Sequence, residues 1–504
     1  MSALSVLLLA IPLAGSGALF LVRGRAGEAA ARQLTVLFTG ATLAIAVVMA
    51  ARFDYGAAER MQFEVSAAWA PSVGLRFHLG VDGISLPLVV LTALLTFLCA
   101  IYSVKIVPEA GRVRAMLALL LLLEVGMLGS FVALDLVLFF VFFETVLVPM
   151  YFLIADWGEP ETRRPAAYKF ILYTLLGSAI MLLGLLVIYV QTGTFDMVAL
   201  AASGGEGISH SAQVLAFLAL LIGFGVKAPM WPLHTWLPDA HTAAPTIGSV
   251  LLAGVLLKMG TYGLIRIALP VLPEGAREFA PYLGAFAVVG IIYGSLVCLA
   301  QRDLKRLIAY SSVGHMGFVL LGIATLTPVG VNGALFANIG HGLITGLLFF
   351  LAGAIKDRHH SADMTVLGGG LYERTPRLGA LLAFAAVASL GLPGLAGFWG
   401  ELLTLFGSFE PAAGLSRATF LVLMVIAGLG TLLTAVYLLV MLRRVAMGEN
   451  PPRWRDPVLL GDVSAVEWVS WTPLVALIVV AGLWPRLLLG VTDPAVQALF
   501  GVIG

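Results

Sequence analysis

Stretches of about twenty mostly apolar residues, the length a helix needs to cross a bilayer, recur from one end of this chain to the other. They lie near 3–22, 33–51, 84–104, 115–133, 134–154, 167–190, 212–231, 245–269, 281–300, 307–326, 331–354, 378–408, 416–442 and 468–490. The spacing predicts a single all-α polytopic membrane domain over 1–504, with about 14 transmembrane helices. The first run is read as a retained helix. A secretory signal carries its positive charge ahead of the apolar stretch, and here Arg23 and Arg25 follow it. The longest stretch without helical pattern, about 52–80, is read as an outer loop able to form a short hairpin.

Loop charge tests the helix count. With the N-terminus outside and the runs alternating, the inner loops collect 20 of the 29 Lys and Arg, among them Arg23, Arg25, Lys169, Lys305, Arg306, Lys356, Arg453 and Arg455. The outer side keeps seven, including Arg76 and Arg266. That bias follows the positive-inside rule and places both termini outside. The two lysines left over, Lys227 and Lys258, fall inside membrane runs.

Only 11% of the residues are charged, against roughly 25% in soluble proteins. The net charge of +1 points to no nucleic acid or acidic partner. The two cysteines, Cys99 and Cys298, are far apart in apolar runs, so neither a metal ligand set nor a disulfide framework is expected. No Gly-rich nucleotide-binding motif is present.

The informative residues are charges placed where charge is costly, about 2.5–3.5 kcal/mol at the bilayer centre on insertion scales. Glu144 sits near the middle of the fifth run, between Asp135 and Asp156. Its bland role is a salt bridge within the bundle; its functional role is a carboxylate that carries or pairs a proton. Lys227 lies in GFGVKAPMWPLHTWLP, where Pro229 and Pro232 each remove a helix hydrogen bond. A broken helix at membrane depth is tolerated against protein or a water-filled cavity, and such breaks mark ion pathways. Lys258 stands thirteen residues into the eighth run. Snorkelling to the interface, the ordinary fate of a membrane lysine, suits helix ends, and neither lysine is expected at one. His315 and His341 lie mid-run in the tenth and eleventh segments. Either serves as a helix–helix hydrogen-bond donor or as a titratable station between the other charges. Glu124, in the fourth run, is a secondary candidate for the same work. His234 and His241 are read as surface or water-lining residues, with no metal-site spacing. Asp239 belongs to the same loop or caps the next helix, and Arg302, Asp303, Lys305 and Arg306 anchor the tenth helix.

The twelfth run carries GLPGLAGFWGELL, where Gly391, Pro393, Gly394 and Gly397 unwind the helix and Glu401 follows. This repeats the break-plus-charge pattern of the seventh. Segments four to eight (115–269) and nine to thirteen (281–442) each hold five helices. Five is odd, so the second copy is expected to be inverted, with broken helices 7 and 12 in matching places.

The stretch KAPMWPLHTWLPDAHTAAPTIGSVLLAGVLLKMGTYGLIR, Lys227 to Arg266, closely resembles the hallmark of the antiporter-like subunits of respiratory complex I, the NADH–quinone oxidoreductase. GVDGISLP (80–87), FFETVLVPMYFLIADWG (142–158), QRDLKRLIAYSSVGHMG (301–317) and HGLITGLLFFLAGAIKDRHH (341–360) match as well, so the resemblance spans roughly 80–445. Glu401 separates this chain from two branches of the family that carry Lys at the twelfth-helix break. The resemblance implies that Glu144 and Lys227 interact in a first half-channel. Lys258, His315 and His341 would form a central relay, and Glu401 would serve the exit or the contact with the next subunit. It implies no cofactor in this chain; FMN, iron–sulfur clusters and quinone belong to partner subunits. The implied partners are the other membrane subunits, two further antiporter-like subunits among them, and membrane lipid, in a bacterial plasma membrane. Rival readings are a subunit of a multi-subunit sodium–proton antiporter or membrane-bound hydrogenase, a passive scaffold, and a stand-alone solute carrier.

Overall fold

A bilayer offers backbone N–H and C=O groups no water, so each apolar run must satisfy its own hydrogen bonds as a helix. The computed structural model describes residues 3–21, 26–106, 111–452 and 461–503. α1 (Ala3–Leu21) and α2 (Ala26–Arg52) lead into an antiparallel hairpin of β1 (Gln62–Ala70) and β2 (Leu75–Val81), the hairpin expected between the second and third runs. Then follow α3 (Leu86–Tyr102), α4 (Val113–Val132), α5 (Leu136–Trp157), α6 (Arg163–Thr192) and α7 (His210–Lys227). After α8 (Thr246–Val271) come α9 (Pro273–Ala300), α10 (Leu304–Ala324) and α11 (Pro328–His359). α12 is in two pieces, Pro376–Ser389 and Ala396–Phe409. α13 (Arg417–Val445), α14 (Ala465–Leu483) and α15 (Arg486–Ile503) complete the chain, and α15 was not expected from the apolar runs.

Among the described residues, twelve helices are long and apolar enough to cross a membrane. The run at 84–104 falls on the shorter α3, and the run at 378–408 on the two pieces of α12. The apolar window of α8 is buried throughout, as is 94% of that of α11 and 89% of that of α10, against 28% for α2 and 33% for α13. Helices α8, α10 and α11 are therefore the axis of the bundle, and α2 and α13 turn apolar faces outward.

One end of the bundle carries the hairpin. There β2 bridges to Ala133 at the end of α4, and the Asp135 carboxylate accepts from the Arg76 amide at 3.2 Å. The opposite end gathers the basic residues: Lys356 pairs with Glu159, Arg358 with Glu467 at 2.7 Å, Lys169 with Asp239 at 2.7 Å and Arg306 with Asp239 at 3.3 Å. Asp239 is thus a shared ion-pair partner and not a helix cap. Asp303 caps α10, accepting from the Arg306 amide at 2.8 Å. Two residues counted as loop charges are buried instead. Lys305 donates to the Ala244 carbonyl at 2.7 Å, and Arg266 lies within α8, paired with Asp82. Arg23, Arg25, Arg453 and Arg455 lie outside the described residues.

Candidate functional site

The interior of α8 is where the polar groups converge. Its ladder widens to i→i+5 bonding over Leu252–Leu256 and again over Leu264–Ala268. Such π segments inside α-helices often occur at functional sites. The first leaves the Ala253 carbonyl to accept from the Lys258 ammonium. α8 and α11 meet closely at two glycines: a Cβ on Gly342 would lie 2.8 Å from the Gly254 carbonyl oxygen. That approach sets Lys258 against the residue before Gly342 in α11, and its ammonium lies 2.7 Å from Nδ1 of His341. Lys258 is fully buried.

From His341 the row continues. The His341 and His315 rings are 5.6 Å apart, edge to face. His315 Nδ1 lies 3.3 Å from the Glu401 carboxylate, and its Nε2 lies 3.1 Å from the Ser389 hydroxyl. Glu401 also accepts from the Thr431 hydroxyl at 3.3 Å. A cavity of about 20 Å³ is lined by His315, His341, Thr345, Ser389 and Glu401. Phe318, Ala337 and Ile344 line it too, and beside the polar groups it has room for about one water. Lys258, His341, His315 and Glu401, chosen from sequence one at a time, therefore lie in one row in an apolar core, bonded at its two ends and meeting in the middle through the two imidazole rings.

The break in α12 builds the far end of this row. Gly391 and Gly394 take φ +81° and +95°, conformations open to glycine at little cost. The chain leaves the helix after Ser389 and re-enters it at Ala396, the first residue of the second piece. Gly397, expected to help unwind the run, lies inside that second piece.

The seventh-run break is real and differs from expectation in where it puts the charge. Pro229 and Pro232 cannot continue the ladder, so α7 ends at Lys227 itself. The Val226 carbonyl freed by the break accepts from the Trp236 indole at 2.9 Å. Lys227 is a helix-terminal lysine after all, but the terminus is in the interior and the side chain is 2% exposed, so it does not snorkel. Its ammonium has no hydrogen-bond partner and sits 4.8 Å from the Phe143 ring centroid. Glu144, the next residue, is half-buried on α5; its Oε1 has no partner, and it forms no ion pair with Lys227. The two residues expected to interact are close but form no ion pair; Lys227 lies over the ring of Phe143, the residue before Glu144.

Glu124 is fully buried in α4 with both carboxylate oxygens unpartnered. His234 and His241, read as surface or water-lining residues, are 2% and 0% exposed and so not on the surface, and neither ring nitrogen of either has a protein partner. His241 stacks on Phe349 at 4.4 Å. Sequence reading undervalued both because the broken seventh run looked like an exposed loop. Ser389 and Thr431, which hold His315 and Glu401, were missed because a hydroxyl in an apolar run carries no charge signal. Among the described residues no group of His, Cys, Asp and Glu is placed to hold a metal ion, and both cysteines are free and buried.

Comparison with known proteins places this arrangement. Residues 133–434 match the family model described as NADH:quinone oxidoreductase/Mrp antiporter, TM. NADH-quinone oxidoreductase subunit M of Rhodobacter capsulatus is 41% identical over 502 residues, covering 97% of this chain and 94% of that one. A chain of respiratory complex I from Thermus thermophilus is 30% identical with a TM-score of 0.87, each chain covering 100% of the other. A chain of the Mrp complex from Dietzia sp. DQ12-45-1b shares the fold at a TM-score of 0.84 with 23% identity, over 100% of this chain and 99% of that one.

Proposed function

The chain belongs to the NADH:quinone oxidoreductase/Mrp antiporter transmembrane family, as a proton-translocating membrane subunit of NADH–quinone oxidoreductase, and from that premise we propose how its buried charges move protons. The observation that carries the reading is the row Lys258–His341–His315–Glu401, joined by contacts of 2.7 and 3.3 Å at its two ends, with a small cavity lined by His315, His341 and Glu401 between.

In this reading Lys258 holds a proton against His341 and the Ala253 carbonyl. Lysine has three donors and no acceptor when charged, so His341 Nδ1 receives. With Nδ1 accepting, the ring proton sits on Nε2, which has no protein partner. That nitrogen passes its proton toward His315, and His315 toward the Glu401 carboxylate. Glu144 and Lys227 set the occupancy of the row. Moving them together favours the charged lysine, and moving them apart or drying the site favours the neutral one. Energy comes from quinone reduction in partner subunits, which also hold the FMN and iron–sulfur clusters; this chain supplies no redox ligand. Two further antiporter-like subunits are the neighbours we expect in the membrane.

The same reading treats 115–269 and 281–442 as inverted five-helix repeats within about fourteen membrane crossings, since each contains one broken helix beside a buried charge. It places the hairpin end and both termini on the outer side of a bacterial plasma membrane. The basic residues gathered at the opposite end support that orientation. The rival is a subunit of a sodium–proton antiporter or hydrogenase assembly, and the Mrp complex chain shares the fold at lower identity; co-purification with NADH-oxidising iron–sulfur subunits separates the two. The test of the relay is Lys258→Met in the intact complex reconstituted into vesicles. Acidification driven by NADH should fall by an order of magnitude or more, the scale on which positioned acid–base groups act. An assembled variant that pumps at the wild-type rate ends the proposal.

A further inference from the structure

The face of α8 that carries Lys258 continues toward the hairpin end with Tyr262 and Arg266, four and eight residues on. At ~1.5 Å per residue, Arg266 lies roughly 12 Å along the axis from Lys258. A polar stripe of this kind, once wet, would let protons leave Lys258 for the outer surface without passing through His341, His315 and Glu401. Every group on the stripe is locked in a way that forbids it. Tyr262 is fully buried, and its hydroxyl donates to the Phe131 carbonyl at 3.0 Å. The same oxygen accepts from Arg266 Nε at 3.2 Å. Its one proton is tied to a backbone carbonyl, and an arginine that does not deprotonate occupies its acceptor side. The Phe131 and Tyr262 rings close the space beside it, edge to face at 5.2 Å. Arg266 then pairs with Asp82, which is 2% exposed. The Asp82 carboxylate is itself fixed by the Ile84 amide at 3.1 Å, the Ser85 amide at 3.0 Å and the Ser85 hydroxyl at 3.2 Å. The guanidinium therefore sits between the tyrosine and the aspartate. Paired with Asp82, the guanidinium offers no free base to take a proton from Lys258.

We propose that Tyr262, Arg266 and Asp82 form a proton seal at the hairpin end of α8, which keeps the charge on Lys258 from short-circuiting to the outer surface. Burial of a bonded ion pair is a poor source of stability in itself, which leaves the pair in need of another role. The seal rests on the reading of Lys258 as a proton carrier, and the experiment separates the two. The complete oxidoreductase is reconstituted into vesicles with a trapped pH dye, and passive proton entry after an acid jump is read without NADH. Asp82→Asn combined with Arg266→Met keeps the site neutral; it should raise passive entry severalfold, lower the protons pumped per NADH and leave NADH oxidation unchanged. Arg266→Lys, which restores the charge, should remain tight. Tyr262→Phe, a milder change that serves if the double variant does not assemble, should leak as well. Adding Lys258→Met should abolish the leak. Proton-tight behaviour of the double variant or of Tyr262→Phe overturns the seal, and so does a leak that persists without Lys258. Normal pumping by Lys258→Met alone instead overturns the relay reading.

Discussion

The two broken helices look alike in sequence and differ in chemistry. α7 runs into its break and ends on Lys227, whose ammonium makes no hydrogen bond and lies over the face of Phe143. α12 leaves its break and carries Glu401 in its second piece, where His315 and Thr431 hold both carboxylate oxygens. A charge without a hydrogen-bond partner is poised to respond to a neighbour that moves. A charge bound on both sides is poised to hand a proton along a fixed line. The repeated pattern of glycines and prolines thus sets where the backbone opens, and the residues beside it decide what each opening does.

The sharpest way to break this comparison is to remove the two charges separately and read function and stability together. Lys227→Met should cost at least an order of magnitude in NADH-driven proton pumping. It should cost little stability, because only a cation–π contact worth about 0.5–2 kcal/mol is lost and an uncompensated buried charge is relieved. Glu401→Leu should also reduce pumping, but it should in addition lower the stability of the assembled complex by roughly 1.5–3 kcal/mol, the scale of hydrogen bonds to a charged group. Thermal unfolding of the purified complex beside vesicle acidification distinguishes them. Equal stability losses in the two variants would erase the distinction drawn here.

A smaller effect sharpens the comparison from the backbone side. Gly391 has φ +81°, and a Cβ there would stand 3.4 Å from the Glu401 carboxylate. Gly391→Ala should destabilise the α12 break by about 1–2 kcal/mol and shift the pH profile of pumping through Glu401. Pro393→Ala at the same break should do much less, since Pro393 leaves the positive-φ turn at Gly391 intact. A wild-type pH profile in Gly391→Ala would show that the turn does not position Glu401.

Much of this was legible in sequence because membrane physics is strict. Buried charges at Glu144, Lys227, Lys258 and Glu401 stand out against apolar runs, and Pro229, Pro232 and Pro393 announce where the ladder fails. Register across the bundle was not legible. Nothing local says that Gly254 and Gly342 bring α8 against α11, or that Lys227 lies over the ring of Phe143 and forms no ion pair with Glu144. Arg266 was misjudged for a related reason. Counted along the chain it ends a run and belongs to a loop; only the fold brings Asp82 to it from 184 positions away in the sequence. His241 was misjudged because a segment between two prolines reads as exposed, whereas the bundle closes over it.

The smallest expected effect lies outside the membrane helices, at the hairpin. His78 is held between Asp196 at 3.2 Å and Glu64 at 3.1 Å. The hydrogen bond to Asp196 raises the His78 pKa, and the same bond lowers that of Asp196. A raised histidine pKa contributes stability that is complete below its unfolded value, about 6.5, and is lost as pH rises through the folded value. A lowered carboxylate pKa contributes stability present above its unfolded value, about 3.9, and lost as pH falls through the folded one. The hairpin should therefore be held most firmly between about pH 4 and 6.5 and loosen on the alkaline side. Hydrogen exchange of residues 62–81 should speed up as pH rises beyond the intrinsic rate change, and His78→Gln should remove that excess. Asp135, whose pKa burial raises, faces Asp196 but binds the Arg76 amide on its own account. It should keep β2 docked even when the histidine is neutral, so the loosening should stay local and leave the charges on α7 and α12 untouched. Pumping that followed the protonation of His78 would instead couple the hairpin to the relay and blur the separation between the two broken helices.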